Sequence, residues 1–436
     1  MRINELISIF SELGCDEFYA KELSENDNSK QQIYLGANFR SINQIPKGPI
    51  YTDQNGPRKL VTFKADLDLF WLNEYMQPEP AVKAKLIWYP KYPEVRLSGF
   101  LYGCKAAPSE FFQATNRISG RILFLGTDSA TGRVYCYLGI PESEITNEFI
   151  SAEWADTTGV LTNLSRRKKV DPKSELLRRL REIHLSGPIS GQILSRGMEI
   201  KPYKARNAGG LTLEAMLGIP HNSISEGDFM GWEVKHFSTT DFGKTRGRRI
   251  TLFTSEPDLG LYNENFIGFM KKYGRTKEGT PRYDFTGQHV AKFRSTSTGL
   301  RIHVEGFDFE KNEINEADGR VLLQDSDNHI AAGWSFSRLL DHWERKHASA
   351  CYVPGIFFKK TNEYAFGNNI ILGIETSFLH FITALNYGII FYDPGNRVSI
   401  RGDEHFAEKR RNQFRFSSSF LGGLYKNIEE VNLLKL

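Results

Sequence analysis

The 436-residue sequence has only four cysteines, Cys15, Cys104, Cys136 and Cys351, and they are widely spaced with no Cys-x-x-Cys pair. That scarcity excludes a disulfide framework and a structural zinc site, and it leaves ordinary buried thiols. Long apolar runs are missing as well. Nothing approaches the roughly 20 consecutive apolar residues that a membrane-spanning helix requires, so no membrane partner is expected. The N-terminal stretch MRINELISIFSELGCDEF reads as an amphipathic helix carrying Glu5, Glu12, Asp16 and Glu17. Those charges are the wrong sign for a leader peptide, and the expected location is the cytoplasm. Internal repeats and low-complexity tracts are also absent.

A strong charge of one sign is lacking too, since the net charge is +4, but the charge is unevenly spread. Residues 1–160 hold 16 Lys and Arg against 20 Asp and Glu, a balance of −4; subtracting from the totals of 56 and 52 leaves 40 against 32, or +8, for residues 161–436. Any polyanion-binding surface therefore belongs mainly to the C-terminal part.

What is present is enough length for two cores. A boundary is expected at 155–170, where Asp156-Thr-Thr-Gly and the basic run Arg166-Arg167-Lys168-Lys169 interrupt the pattern. This predicts an N-terminal α+β domain over 1–160, accessory in role, and a second domain over 161–436. The segments LVTFKADLDLFWL, AKLIWYP, RILFLG and RVYCYLGI are short, aromatic and β-branched, as strands are. After the boundary, Asp171-Pro172 precedes Leu176, Leu177, Leu180 and Ile183 at helical spacing until Gly187, which predicts a helix opening the second domain. Strand-like GWEVKHF, RRITLFT, GLRIHVEGF and GIIFYDP then alternate with helical SFSRLLDHWERKHASA, so the class is mixed α/β.

The chemically informative stretch is GGLTLEAMLGIPHNSISEGDFMGWEVKHF, residues 209–237. On a strand, side chains repeat every second residue, so Glu233 and Lys235 share a face while Trp232, Val234 and His236 take the other. Asp228 lies five residues before Glu233, and Glu214 sits on the expected helix TLEAMLG, one turn from its start. Phosphodiester hydrolysis needs the phosphate charge neutralised and a water deprotonated, and hard carboxylate oxygens around Mg2+ supply both. Asp228 and Glu233 are the expected metal ligands. Lys235 would orient or help deprotonate the attacking water, and Glu214 would complete the site from its helix. Taken alone, Glu233 and Lys235 would be an ordinary ion pair on a strand.

The ordered set of segments changes that reading. The Glu of GGLTLE, the Asp of SEGD, the ExK of GWEVKHF, then RRITLFTSEPDLGLY, HWERKHASACYVP and FYDPG with RRNQFR resemble the PD-(D/E)xK nucleases, and among them the MvaI/BcnI-type restriction endonucleases, relatives of the mismatch-repair nicking enzyme MutH. The likeness spans about residues 185–425. One departure is Gly227, where this superfamily usually has proline before the motif Asp. The resemblance implies a central mixed sheet flanked by helices, a cleft for double-stranded DNA, and a nuclease domain that acts as a monomer and nicks the strands in turn. It implies a type II-like restriction enzyme in defence against foreign DNA. Two alternatives stay open: a nuclease effector of a multi-component antiphage system, with a partner protein on the N-terminal domain, or a non-catalytic DNA-binding module.

Two basic stretches suit DNA contacts. Lys244, Arg246, Arg248 and Arg249 fall between the ExK strand and the next, fit for phosphates. Arg411, Asn412, Gln413 and Arg415 mix the side chains that read guanine and adenine edges. His342 and His347 are not spaced as a metal pair, and a DNA-contact or packing role is expected; Trp334, Phe336 and Trp343 are expected in the core.

Overall fold

The computed structural model describes all residues except 26–30, 37–44, 53–60, 93, 155–156, 159, 165–170, 206–207, 222–228, 244–246, 278, 317, 347–348 and 402–404. The chain forms two compact units, Met1–Asp171 and Pro172–Leu436. Among the described residues no helix is long and apolar enough to cross a membrane.

In the first unit a seven-stranded sheet centres on Glu17–Leu23, Arg121–Asp128 and Arg133–Gly139, and a five-stranded sheet on Lys85–Tyr89 and Glu94–Ser98. The amphipathic N-terminal helix runs Ile3–Glu12. It buries Ile3, Leu6 and Phe10 against Phe18, Ala20, Ile122 and Phe124, which places its acidic residues outward.

The second unit starts with helix Pro172–Leu185. Proline suits the first helical position because its missing N–H would be unsatisfied there in any case. Gly187, two residues past the end, has φ +76°, a left-handed value that a side chain disfavours, and the helix stops before it. Leu176, Leu177, Leu180 and Ile183 form one stripe that packs on Trp232, Val234, Cys351, Val353, Ile370 and Leu372. Those residues belong to a mixed sheet. Strand Glu233–Ser238 pairs parallel with Ser349–Phe358, which pairs antiparallel with Glu363–Phe366 and Asn369–Ile374, and Asn427–Asn432 closes the far edge.

A second sheet contains Arg249–Thr254, Asn412–Ser417, Ile390–Arg401 and Thr280–Thr286, all antiparallel. Helices Phe336–Lys346 and Phe378–Asn386 pack on it through a cluster of rings in which Phe253, Trp343, Phe381 and Phe414 meet at centroid distances of 5.0–6.3 Å. Trp334, Phe336 and Trp343 are each fully buried, in the core as expected. The mixed α/β architecture, sheets with several helices packed on them, agrees with the class read from the sequence.

Candidate active site

Strand Glu233–Ser238 separates its two faces as alternation requires. Trp232 and Val234 enter the core beneath helix Pro172–Leu185. Glu233 and Lys235 take the other face, where the Lys235 ammonium contacts Glu233 Oε1 in an ion pair. The glutamate is 1% exposed, and its second oxygen, Oε2, is buried with no hydrogen-bond partner among the described residues. A carboxylate oxygen left in that state is costly, on the order of a few kcal/mol, unless another group completes it. Nearby, the Tyr352 and Tyr425 hydroxyls bond to each other at 2.8 Å. Burial, with the Glu233 charge adding to it, pushes both phenols far above their ordinary range, so both stay protonated.

Helix Ala208–Met216 packs against this strand and carries Glu214. The helix begins at Ala208, four residues before the expected TLEAMLG, and Glu214 lies in its second turn. Its seating on the strand depends on a close approach. A Cβ on Gly209 would stand 2.6 Å from Cε1 of His236, and one on Gly355 would stand 2.4 Å from Nε2 of the same ring. Two glycines thus clamp the imidazole, and the helix can ride low on the strand. Burial lowers the His236 pKa to about 4, so the ring is neutral at pH 7 and packs as an apolar plate, with Nε2 lacking a hydrogen-bond partner among the described residues.

Glu214 and Lys235 open into a cleft of about 840 Å³, whose other walls include Arg248, Arg249, Thr251, His342, Gln413 and Arg415. Basic groups dominate the rim. Arg415 is held by Asp393 at 2.7 Å, and Arg249 lies over the ring of Phe391 at 5.8 Å. His342 stacks parallel on Phe253 at 5.8 Å, which presents it to the cleft from helix Phe336–Lys346.

Not every expected contact residue arrives here. Asp228, Lys244, Arg246 and His347 lie outside the described residues. Arg411 is exposed but does not line the cleft. Asn412 requires a correction, because it is fully buried and its amide is used up inside the protein. Its Nδ2 donates to Glu256 Oε1 at 2.9 Å and to the Tyr262 hydroxyl at 2.8 Å, while its Oδ1 accepts from the Tyr392 hydroxyl at 2.5 Å and from Asn396 Nδ2 at 2.9 Å. The cause is alternation along strand Asn412–Ser417, where Asn412, Phe414 and Phe416 point inward and Gln413 and Arg415 do not. Residues that were not singled out, Glu256, Tyr262, Tyr392, Asp393 and Asn396, take part in this arrangement. Tyr392 and Asn396 lie on one face of strand Ile390–Arg401, but Glu256 and Tyr262 lie outside the strands and no local pattern marked them.

A group of potential metal ligands, Asp325, Asp327 and His329, occurs on a hairpin of the second unit. Asp325 there accepts from Tyr273, Lys272 and the backbone of Asp327 and His329, as a turn-forming aspartate does, and none of the three lines the cleft.

A mixed sheet with helices packed on it, and a buried Glu beside a Lys on a strand that opens into a basic cleft, give an α/β domain that suits phosphodiester chemistry. The sequence of residues 177–425 matches the MvaI/BcnI restriction endonuclease family, and the chain belongs to that family; it is a DNA endonuclease. The resemblance read from the ordered segments is thereby borne out. Among solved structures, the chain is similar to a restriction endonuclease MvaI–cognate DNA substrate complex, at 16% identity and TM-score 0.44, over 60% of this chain and 99% of that one. It is also similar to restriction endonuclease MvaI in the absence of DNA, at 14% identity and TM-score 0.34, over 61% of this chain and 99% of that one. Each likeness covers about as many residues as the second unit holds. No curated protein matches the chain.

Proposed function

We propose that the chain cuts double-stranded DNA at a defined sequence in a magnesium-dependent reaction, and that it serves in defence against foreign DNA as a type II-like restriction enzyme. The observation that carries the chemistry is the Glu233 carboxylate: nearly without solvent exposure, ion-paired through one oxygen and lacking a hydrogen-bond partner on the other among the described residues. A hard divalent cation is the partner such an oxygen suits, and Asp228, with Glu233, would hold it. When bound, Mg2+ neutralises phosphate charge and lowers the pKa of a coordinated water.

The protein groups supply the rest. Lys235, two residues on and ion-paired with Glu233, would orient the attacking water and stabilise charge developing on the phosphate. Glu214 faces the cleft from the neighbouring helix, where it would orient the water from the other side. Arg248 and Arg249 would meet backbone phosphates, as would Lys244 and Arg246. Gln413 and Arg415 would meet base edges, because an arginine whose guanidinium is braced by Asp393 holds one orientation, as specific readout requires.

The test is incubation of the purified chain with unmodified plasmid and Mg2+, followed by sequencing of the cut ends. Discrete fragments sharing one sequence at their ends are expected, and they should vanish in EDTA. A smear of unrelated ends would refute site specificity. No cleavage unless another protein is added would refute a self-sufficient restriction enzyme.

A further inference from the structure

Asn412 is moved by the fold from the cleft to the interior, yet it is the residue on its strand with the most demanding surroundings. A side-chain amide has two N–H donors and a carbonyl with two lone pairs, and here all four are matched. The network closes on itself, since Tyr262 also donates to Glu256 Oε2 at 2.5 Å. It reaches the backbone on both sides: Asn396 Oδ1 accepts from the Arg411 N–H at 2.6 Å, and the Asn412 carbonyl accepts from the Ser255 N–H at 3.0 Å. Opposite Asn412 in the ladder stands Pro394, which has no N–H to donate. At this level of the sheet, side chains reinforce a backbone ladder to which Pro394 cannot donate.

The consequence concerns register. A slip of one residue would carry Asn412, Phe414 and Phe416 to the cleft and take Gln413 and Arg415 inside. The strand's other neighbour offers weak protection against this, because its pairing with Arg249–Thr254 already shifts between Thr251 and Phe253. We infer that Asn412, locked by Glu256, Tyr262, Tyr392 and Asn396, is a positioning residue for sequence selectivity: it sets which side chains of strand Asn412–Ser417 face the DNA and at what height. This rests on the reading above that Gln413 and Arg415 meet the bases.

Asn412→Asp keeps the shape but replaces the two donors with an acceptor that faces the Glu256 carboxylate. Adding Glu256→Gln returns a donor to the pair from the opposite side. The readout is preference for the parent site over sites differing by one base pair, measured on a randomised duplex library cut by the full chain with Mg2+, alongside thermal melts. We expect Asn412→Asp to lower that preference about tenfold, the scale of one well-made base contact, and the double variant to restore most of it. Tyr392→Phe, which removes a single donor, should show a smaller loss in the same direction and replaces Asn412→Asp as the test if that variant does not fold. A folded Asn412→Asp, or in its place Tyr392→Phe, with the parent's site preference refutes the positioning role while leaving the function above intact. A parent chain that cuts without any site preference refutes that function, and the inference with it.

Discussion

Two strands contribute side chains to the cleft, and they differ in how openly they declare their faces. Strand Glu233–Ser238 carries Glu233 and Lys235 two residues apart with apolar Val234 between, so the face they share is read from spacing. Strand Asn412–Ser417 is led by five consecutive polar or charged residues, from Lys409 to Gln413, and there the phase is ambiguous until Phe414 and Phe416 are seen inside. Burial alternates strictly along Asn412–Ser417, whereas Glu233–Ser238 buries Glu233, Val234 and Phe237. In the former strand a buried asparagine disguises a core position as a contact position.

The comparison can be broken most severely at the catalytic strand. Glu233→Gln should lower cleavage by at least about a thousandfold in a plasmid-nicking assay, since a lost carboxylate ligand removes charge that only a metal site needs. Unchanged cleavage would reduce the Glu233–Lys235 pair to a structural ion pair. A second test uses pH. Burial lowers His236 and His289 to about 4 in the folded chain, below the ordinary histidine value near 6.5. In the window between those values the unfolded chain binds protons that the folded chain does not, so stability is full above about pH 6.5 and falls as pH drops toward 4. The loss should be roughly 3 kcal/mol for each group. Denaturant midpoints that stay flat across this window would show that both rings open to solvent.

The two halves of the contrast within strand Asn412–Ser417 are sharpened by neighbouring substitutions. Asn412→Ala strands four partners and should destabilise the second unit by about 2–3 kcal/mol. Gln413→Ala, one residue away, should change stability by less than about 0.5 kcal/mol while altering the sites cut. Equal melting shifts for the two would contradict the assignment of faces. Between them in size falls Gly209→Ala, whose added methyl meets the His236 ring and should cost about 1–3 kcal/mol. If the helix instead lifts, a drop in cleavage rate with little change in melting would report displacement of Glu214.

Much was legible in the chain beforehand. The helix Pro172–Leu185 announced its start by Asp171-Pro172, its buried stripe by four apolar residues and its end by Gly187. The strands around the ExK motif were readable for the same reason, since local periodicity and burial agree in them. Glu214 was readable as a helix residue but not at its depth, because the low seating of that helix depends on Gly209 and Gly355 clamping a ring from a third segment, a contact between residues 209, 236 and 355.

The sequence by itself determined the order of elements, the family, and the face that Glu233 and Lys235 share, because each follows from spacing within a few residues or from segments in a fixed order. Tertiary structure alone decided that Asn412 belongs to the interior, that Arg415 is braced by Asp393, and that His342 lies on Phe253 at the cleft wall. Those facts depend on hydrogen bonds and ring contacts between strands and helices far apart in the chain, and a linear pattern carries no record of which polar group will find its partner across a sheet.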